Sequence, residues 1–188
     1  MSSKNVADYL LERLRDWGVD KVFAFPGDGI NGSLAAWARA DDNPMFIQSR
    51  HEEMSAMAAV GYAKFSGRPG VCMATSGPGV IHLLNGLYDA KLDHVPVVAI
   101  VGQTERSAMG GAYQQEVDLQ ALLKDVASEY LVEVNVPQQL PNALDRAFLE
   151  TAESNLRTRL ESYALEYTRR IEFLRDGSLY VPDTPPEP

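Results

Sequence analysis

Cysteine is nearly missing from this chain of 188 residues: Cys72 stands alone. One cysteine excludes an internal disulfide and a Cys-x-x-Cys metal site, and its place in the apolar run GVCMAT makes it a core residue. Positive charge is also scarce. The formal net charge is −9, with no basic stripe to displace counterions from phosphates, so no nucleic-acid partner is expected. No apolar run reaches the roughly 20 residues of a bilayer span. The start MSSKNVADYL is polar and then amphipathic, unlike an export leader. No membrane attachment is expected, and a reducing cytoplasm is the expected compartment. No internal repeat occurs, and the low-complexity stretch is the Pro-rich end PDTPPEP, expected to be disordered. What remains, with 45% hydrophobic and 23% charged residues, has the make-up of a globular domain with a short appendage.

Segments of helical period alternate with short apolar runs. NVADYLLERLRDWG puts Val6, Tyr9, Leu10, Leu14 and Trp17 on one helical face and stops at Gly18. KVFAF reads as a strand, GSLAAWARA as a helix and MFIQS as a second strand. EEMSAMAAVGYAKFSG is a helix closed by Gly67; GVCMATS is a third strand, GVIHLLNGLYDAKLD a helix and PVVAIVG a fourth strand. Beyond a polar loop at 103–112, VDLQALLKDVA is expected as a helix, EYLVEV as a strand, and PQQLPNALDRAFLETAES as a helix beginning near Pro141. Near-continuous apolar strands such as VFAF suit an open, mostly parallel α/β sheet with helices on both faces. Ligands of such sheets gather at the carboxyl ends of the strands, where the Gly-rich loops fall here.

Residues 155–175 stand apart. Leu156, Leu160, Tyr163, Tyr167, Ile171 and Leu174 recur by threes and fours, one apolar stripe along a helix. Two readings stand: the stripe docks on the domain's own surface, or it meets a partner.

The stretch FPGDGING admits three readings. Gly27, Gly29 and Gly32 satisfy G-x-G-x-x-G after a strand and before a helix, and Glu52 follows near where a ribose-binding carboxylate belongs. Against a dinucleotide site, Pro26 stiffens the turn, and Glu52 begins a helix instead of ending a strand. Gly27-Asp28-Gly29 could open a cation motif, but positions 52–60 read EEMSAMAAV, with no asparagine to complete a ligand set that Asp28 cannot fill by itself. The third reading is a strand-to-helix turn whose glycines take backbone angles other residues resist.

Four ordered stretches settle the choice. FAFPGDGING, RHEEMSAMAAVGYAKFSGRPGVCMATSGPG, NGLYDAKLDHVPVVAIVGQ and QEVD closely resemble the amino-terminal pyrimidine-binding (PYR) domain of thiamine diphosphate-dependent enzymes, of the acetolactate synthase and pyruvate oxidase group. The resemblance spans roughly residues 4–152 and implies a PYR-type domain over 1–154. An amphipathic helix at 155–176 lies outside the family pattern, followed by a strand-like segment and tail at 177–188. It also implies that the Pro26-Gly27 loop belongs to pyrimidine binding and that the Gly-Asp-Gly cation motif sits in a separate domain.

Thiamine diphosphate supplies its own electron sink, a thiazolium carbanion formed with help from its aminopyrimidine. In the resemblance, the carboxyl that hydrogen-bonds the pyrimidine ring is Glu52. An apolar setting beside Met54, Ala56 and Met57 is expected to favour proton sharing, since burial disfavours a charged carboxylate. Glu53 fits a solvated helix start. Thr75 to Gly79, with Gly77, Pro78 and Gly79, would approach the pyrimidine; read without the resemblance, TSGPG is an ordinary strand-to-helix turn. Gln115 matches a pocket glutamine, while Gln114 replaces a residue often aromatic in relatives. Asn31 and Asn85 are further cofactor candidates. His51, His82 and His94 are read as structural, with no partner acid and no metal-site spacing.

Helix SAMAAVGYA, with Ala56, Ala59 and Ala63, would admit a second helix closely, and in the family this region contributes to a dimer in which each cofactor lies between two chains. A homodimer or higher homo-oligomer is therefore expected. The diphosphate- and Mg-binding half is missing from the pattern, since relatives carry roughly three such domains. FAD serves some relatives, and no residue here bears on it. Three readings follow: the pyrimidine half of a split 2-oxo acid decarboxylase, carboligase or oxidase, completed by a separate diphosphate-domain chain; a fragment of a larger enzyme; or a non-catalytic module that keeps the fold. The dinucleotide-binding domain is the remaining alternative.

Overall fold

The computed structural model describes residues 5–127 and 129–153. The expected helix at 155–176 and the segment at 177–188 lie outside the described residues. Four strands form one sheet: β1 Lys21–Ala24, β2 Met45–Gln48, β3 Gly70–Ala74 and β4 Val97–Val101, in the order β2-β1-β3-β4. Every pairing is parallel, with Val22 opposite Phe46, Phe23 opposite Cys72, and Cys72 opposite Ala99. Parallel neighbours need crossovers, and helices α1 Val6–Asp16, α2 Asn31–Trp37, α3 Glu52–Ser66 and α4 Pro78–Leu92 precede and join them.

The alternation of side chains along β3 sorts the core in two. Val71 and Met73 face one side with Leu10, Leu11, Leu14, Val22, Ala36 and Trp37 of β1, α1 and α2. Cys72 and Ala74 face the other with Ala56, Ala59, Val80 and Leu83 of α3 and α4. All five β3 residues are buried, as a central strand covered on both faces requires. The expected α/β sheet with helices on both faces is what the chain adopts.

Local chemistry sets the ends. Asn5 caps α1 with its side-chain oxygen on the Asp8 amide at 2.9 Å, and Asp8 returns the bond to the Asn5 amide. Gly67 closes α3 in the left-handed region, at φ +67°, as read from the sequence. Pro78 occupies the first turn of α4, where its missing N–H costs nothing.

Two expectations change. Helix α5 is only Leu119–Leu123, with Asp118 as its cap, and falls short of the eleven residues of VDLQALLKDVA. EYLVEV is not a strand: residues 129–135 have no regular structure and no ladder partner among the described residues. Its β-branched alternation carries β propensity, but pairing decides a strand, and this segment instead packs Leu131 against the α3–α4 core. A 3-10 turn, Pro137–Gln139, then leads into a helix over 140–153 that returns Leu144 and Phe148 to the α1 side.

Candidate cofactor-binding site

Strand order reverses between β1 and β3: from β1 the chain goes outward to β2, then crosses back to β3 on the other side. Loops leaving the carboxyl ends of β1 and β3 therefore meet in a crevice. The Gly29 amide donates to Thr75 Oγ1 at 2.8 Å across it, and a Cβ at Gly27 would lie 2.5 Å from that of Thr75. Gly27 thus lets the two loops touch. Pro26 is half-buried ahead of it, and Thr75, Gly77 and Gly79 are buried, whereas Pro78 is exposed.

Glu52 opens α3 at this same edge and is buried, at 7% exposure. Its Oε2 lies 2.9 Å from His82 Nδ1, one turn into α4. A Cβ at Gly79 would come 3.3 Å from Glu52 Oε1 and 2.8 Å from Thr75 Cγ2, so the absence of a side chain there keeps the carboxyl approachable. The expected apolar neighbours are partly different. Met54 and Met57 point outward, 56% and 41% exposed, because a helix places residues two and five positions on away from the face Glu52 shares with the core. Ala56 is buried as expected, and Ser55 beneath it joins Ser49 at 2.5 Å.

Gln115 reaches the crevice from the loop after β4. Its side-chain Oε1 accepts from Ser76 Oγ at 3.4 Å, and its backbone takes φ +66°. A glutamine in that region costs on the order of 1 kcal/mol and persists only where its surroundings impose it. Gly77, at φ +61°, leaves room for it: a Cβ there would run into the Gln115 carbonyl oxygen. Gln114 and Asn31 are exposed. Asn85 is exposed as well and donates to Glu53 Oε1 at 3.1 Å, not to the crevice loops.

His82 is the residue the sequence reading misplaced. It was expected to be structural and without a partner acid; it contacts Glu52, and its ring stacks on His51 with centroids 4.3 Å apart. The available signal was that α3 and α4 both start at the sheet's carboxyl edge, so His51, Glu52 and His82 all sit at helix starts there. The small residues of α3 do admit a helix closely, and it is this chain's own α4. Ala56, Ala59 and Ala63 are buried, and Ala56 meets Gly86 of this chain's own α4 so closely that a Cβ on Gly86 would lie 2.5 Å from it. No room is left there for a partner helix. Gly32 has open space where its Cβ would be, so the third glycine does not provide the close helix–strand packing of a dinucleotide fingerprint.

A parallel α/β crevice walled by glycines, with one buried carboxyl at a helix start, is the form of a cofactor-binding domain. The family described as thiamine pyrophosphate enzyme, N-terminal TPP binding domain, matches residues 4–122, and the chain belongs to that family. The chain is 42% identical to pyruvate oxidase of Lactiplantibacillus plantarum over 73% of its own length and 23% of that protein's. It is 41% identical to acetolactate synthase isozyme 2 large subunit of Escherichia coli, over 77% and 26%. For the chloroplastic acetolactate synthase of Arabidopsis thaliana the figures are 38%, 76% and 21%. The chain thus spans about a quarter of the length of the curated relatives it matches. Among the described residues no helix is long and apolar enough to cross a membrane.

Proposed function

We propose that this chain is the pyrimidine-binding half of a thiamine diphosphate-dependent 2-oxo acid enzyme, completed by a diphosphate- and Mg-binding domain from another polypeptide. The observation that carries this reading is Glu52: a carboxyl buried at the switch point, with one oxygen against the glycine at 79 and the other on His82. When bound, thiamine diphosphate supplies an electron sink for decarboxylation or carboligation of 2-oxo acids. Glu52 presents its carboxyl as the hydrogen-bonding group where the pyrimidine ring is received, and His82 fixes the rotamer of that carboxyl. Gly77 and Gly79 keep the backbone close to the ring, and Gln115, admitted by Gly77 and bonded by Ser76, lines the reaction side. Mg and the diphosphate belong to the completing domain.

Assembly is the second part of the proposal. Met54, Met57 and Phe65 follow one another along the outer side of α3, with Phe65 95% exposed, and Ile81, Tyr88 and Leu92 do so along α4. This apolar surface fits homodimerisation through the PYR domain. The test is reconstitution with a chain carrying a Gly-Asp-Gly cation motif. Turnover of a 2-oxo acid is expected on mixing and lost in Glu52→Gln; a mixture equally active with the variant takes Glu52 out of the chemistry, and one inactive with the native chain favours a non-catalytic module.

A further inference from the structure

His51, Glu52 and His82 have a property that thiamine diphosphate binding does not use. One potential ligand atom from each lies within 4.8 Å of the other two. His82 Nδ1 and Glu52 Oε2 are already 2.9 Å apart, and the two imidazoles are tilted by 32° with centroids at 4.3 Å. Donors around a tetrahedral ion, each about 2.0–2.2 Å from it, sit between three and four ångströms from one another, so only small side-chain rotations bring the set into register. The carboxylate is buried while both imidazoles are open to solvent on one side, which provides an entry path.

We propose that these residues form a binding site for a borderline divalent transition ion, Zn2+ in the first place, with a fourth position left for water. Two imidazole nitrogens and one carboxylate oxygen are donors that suit Zn2+ and Co2+ and disfavour Mg2+ or Ca2+, which take oxygen. On binding, the ion takes the place of the hydrogen between His82 Nδ1 and Glu52, and His82 coordinates as the neutral tautomer protonated at Nε2. Occupancy engages the Glu52 carboxyl, so the metallated chain has no free carboxyl at the switch point. The inference concerns the chain by itself and does not rest on the cofactor reading.

Chelator-treated, untagged full-length chain is titrated calorimetrically with ZnCl2, at a concentration where sedimentation shows one species. Saturable binding of one Zn2+ per chain is expected, with no response to MgCl2. His51→Ala, His82→Ala and Glu52→Gln are each expected to weaken it by more than the roughly 10–100-fold that losing an outer-shell partner costs. His94→Ala, remote from the cluster, is expected to bind as the native chain does. CoCl2 is expected to give a visible band of a low-coordinate site, absent in His82→Asn, whose circular dichroism establishes that the fold persists. No saturable Zn2+ binding, or binding indifferent to the three substitutions, overturns the site.

Discussion

The two faces of the sheet solve different problems. On the α1 side the surface is stitched to itself. Arg13 Nε and Trp17 Nε1 both donate to Asp145 Oδ1, at 2.7 and 2.8 Å, and Arg13 adds a second bond to Oδ2. Trp17 stacks on Phe148 with centroids 5.4 Å apart, drawing the 140–153 helix onto α1. On the α3 side the core is equally buried and Lys64 of α3 pairs with Asp89 and Asp93 at α4, yet Met54, Met57, Phe65 and Leu92 stay exposed and the helix starts carry Glu52, His51 and His82. The α1 face is closed within the chain, whereas the α3 face, laced by ion pairs of its own, also leaves side chains open at the edge where ligands gather.

Substitutions on the two faces should therefore separate activity from stability. The largest effect expected is on the open face: in a reconstituted enzyme Glu52→Gln lowers turnover by about 10²–10⁴-fold, the usual worth of a positioned acid–base group, while the melting curve hardly moves. On the closed face Phe148→Ala does the reverse. Phe148 is 2% exposed, and its truncation should cost about 3–5 kcal/mol in urea unfolding. Gly77→Ala probes the boundary: a left-handed residue with a Cβ costs about 1–2 kcal/mol, and the clash should displace the Gln115 loop, seen as altered amide shifts around 115.

A smaller effect tests the stitching by pH. Arg13, and after it Trp17, hold the Asp145 carboxyl below its ordinary value of 3.8. A depressed folded-state value means stability present above the unfolded value and lost as pH falls through the folded one. Native chain should lose this contribution on acidification below about pH 4, and Asp145→Asn should show no such step in its acid unfolding curve. The smallest effect is an absence of reaction. Burial pushes the Cys72 thiol up to about 12, so a thiol reagent at pH 8 should modify it only after unfolding.

Most of this architecture was legible because each strand and helix carried its own period and its own terminator. Gly67 closes α3 where the sequence placed it, and the apolar run GVCMA became the doubly buried β3. EYLVEV was misread because its alternation is real but no strand pairs with it among the described residues: pairing is a tertiary fact. The glycine loop was legible only in company. Alone, Gly27, Gly29 and Gly32 fit three readings, and what separates them is space around Gly32 and contact between Gly27 and Thr75, which no spacing encodes. His82 was missed for the same reason, since Glu52 lies 30 residues away in sequence and 2.9 Å away in space. Small residues on α3 were correctly read as permitting a close helix, but the helix admitted is this chain's own α4.

The central claim is that this chain holds the pyrimidine end of the cofactor and not the diphosphate end. An NMR titration of the isotope-labelled chain with thiamine diphosphate, with and without magnesium, tests it most directly. The account predicts weak binding, indifferent to magnesium, with shifts concentrated at the amides of Glu52, Thr75, Gly77 and Gly79 and lost in Glu52→Gln. A tight, magnesium-dependent complex, or shifts confined to other parts of the chain, would contradict it.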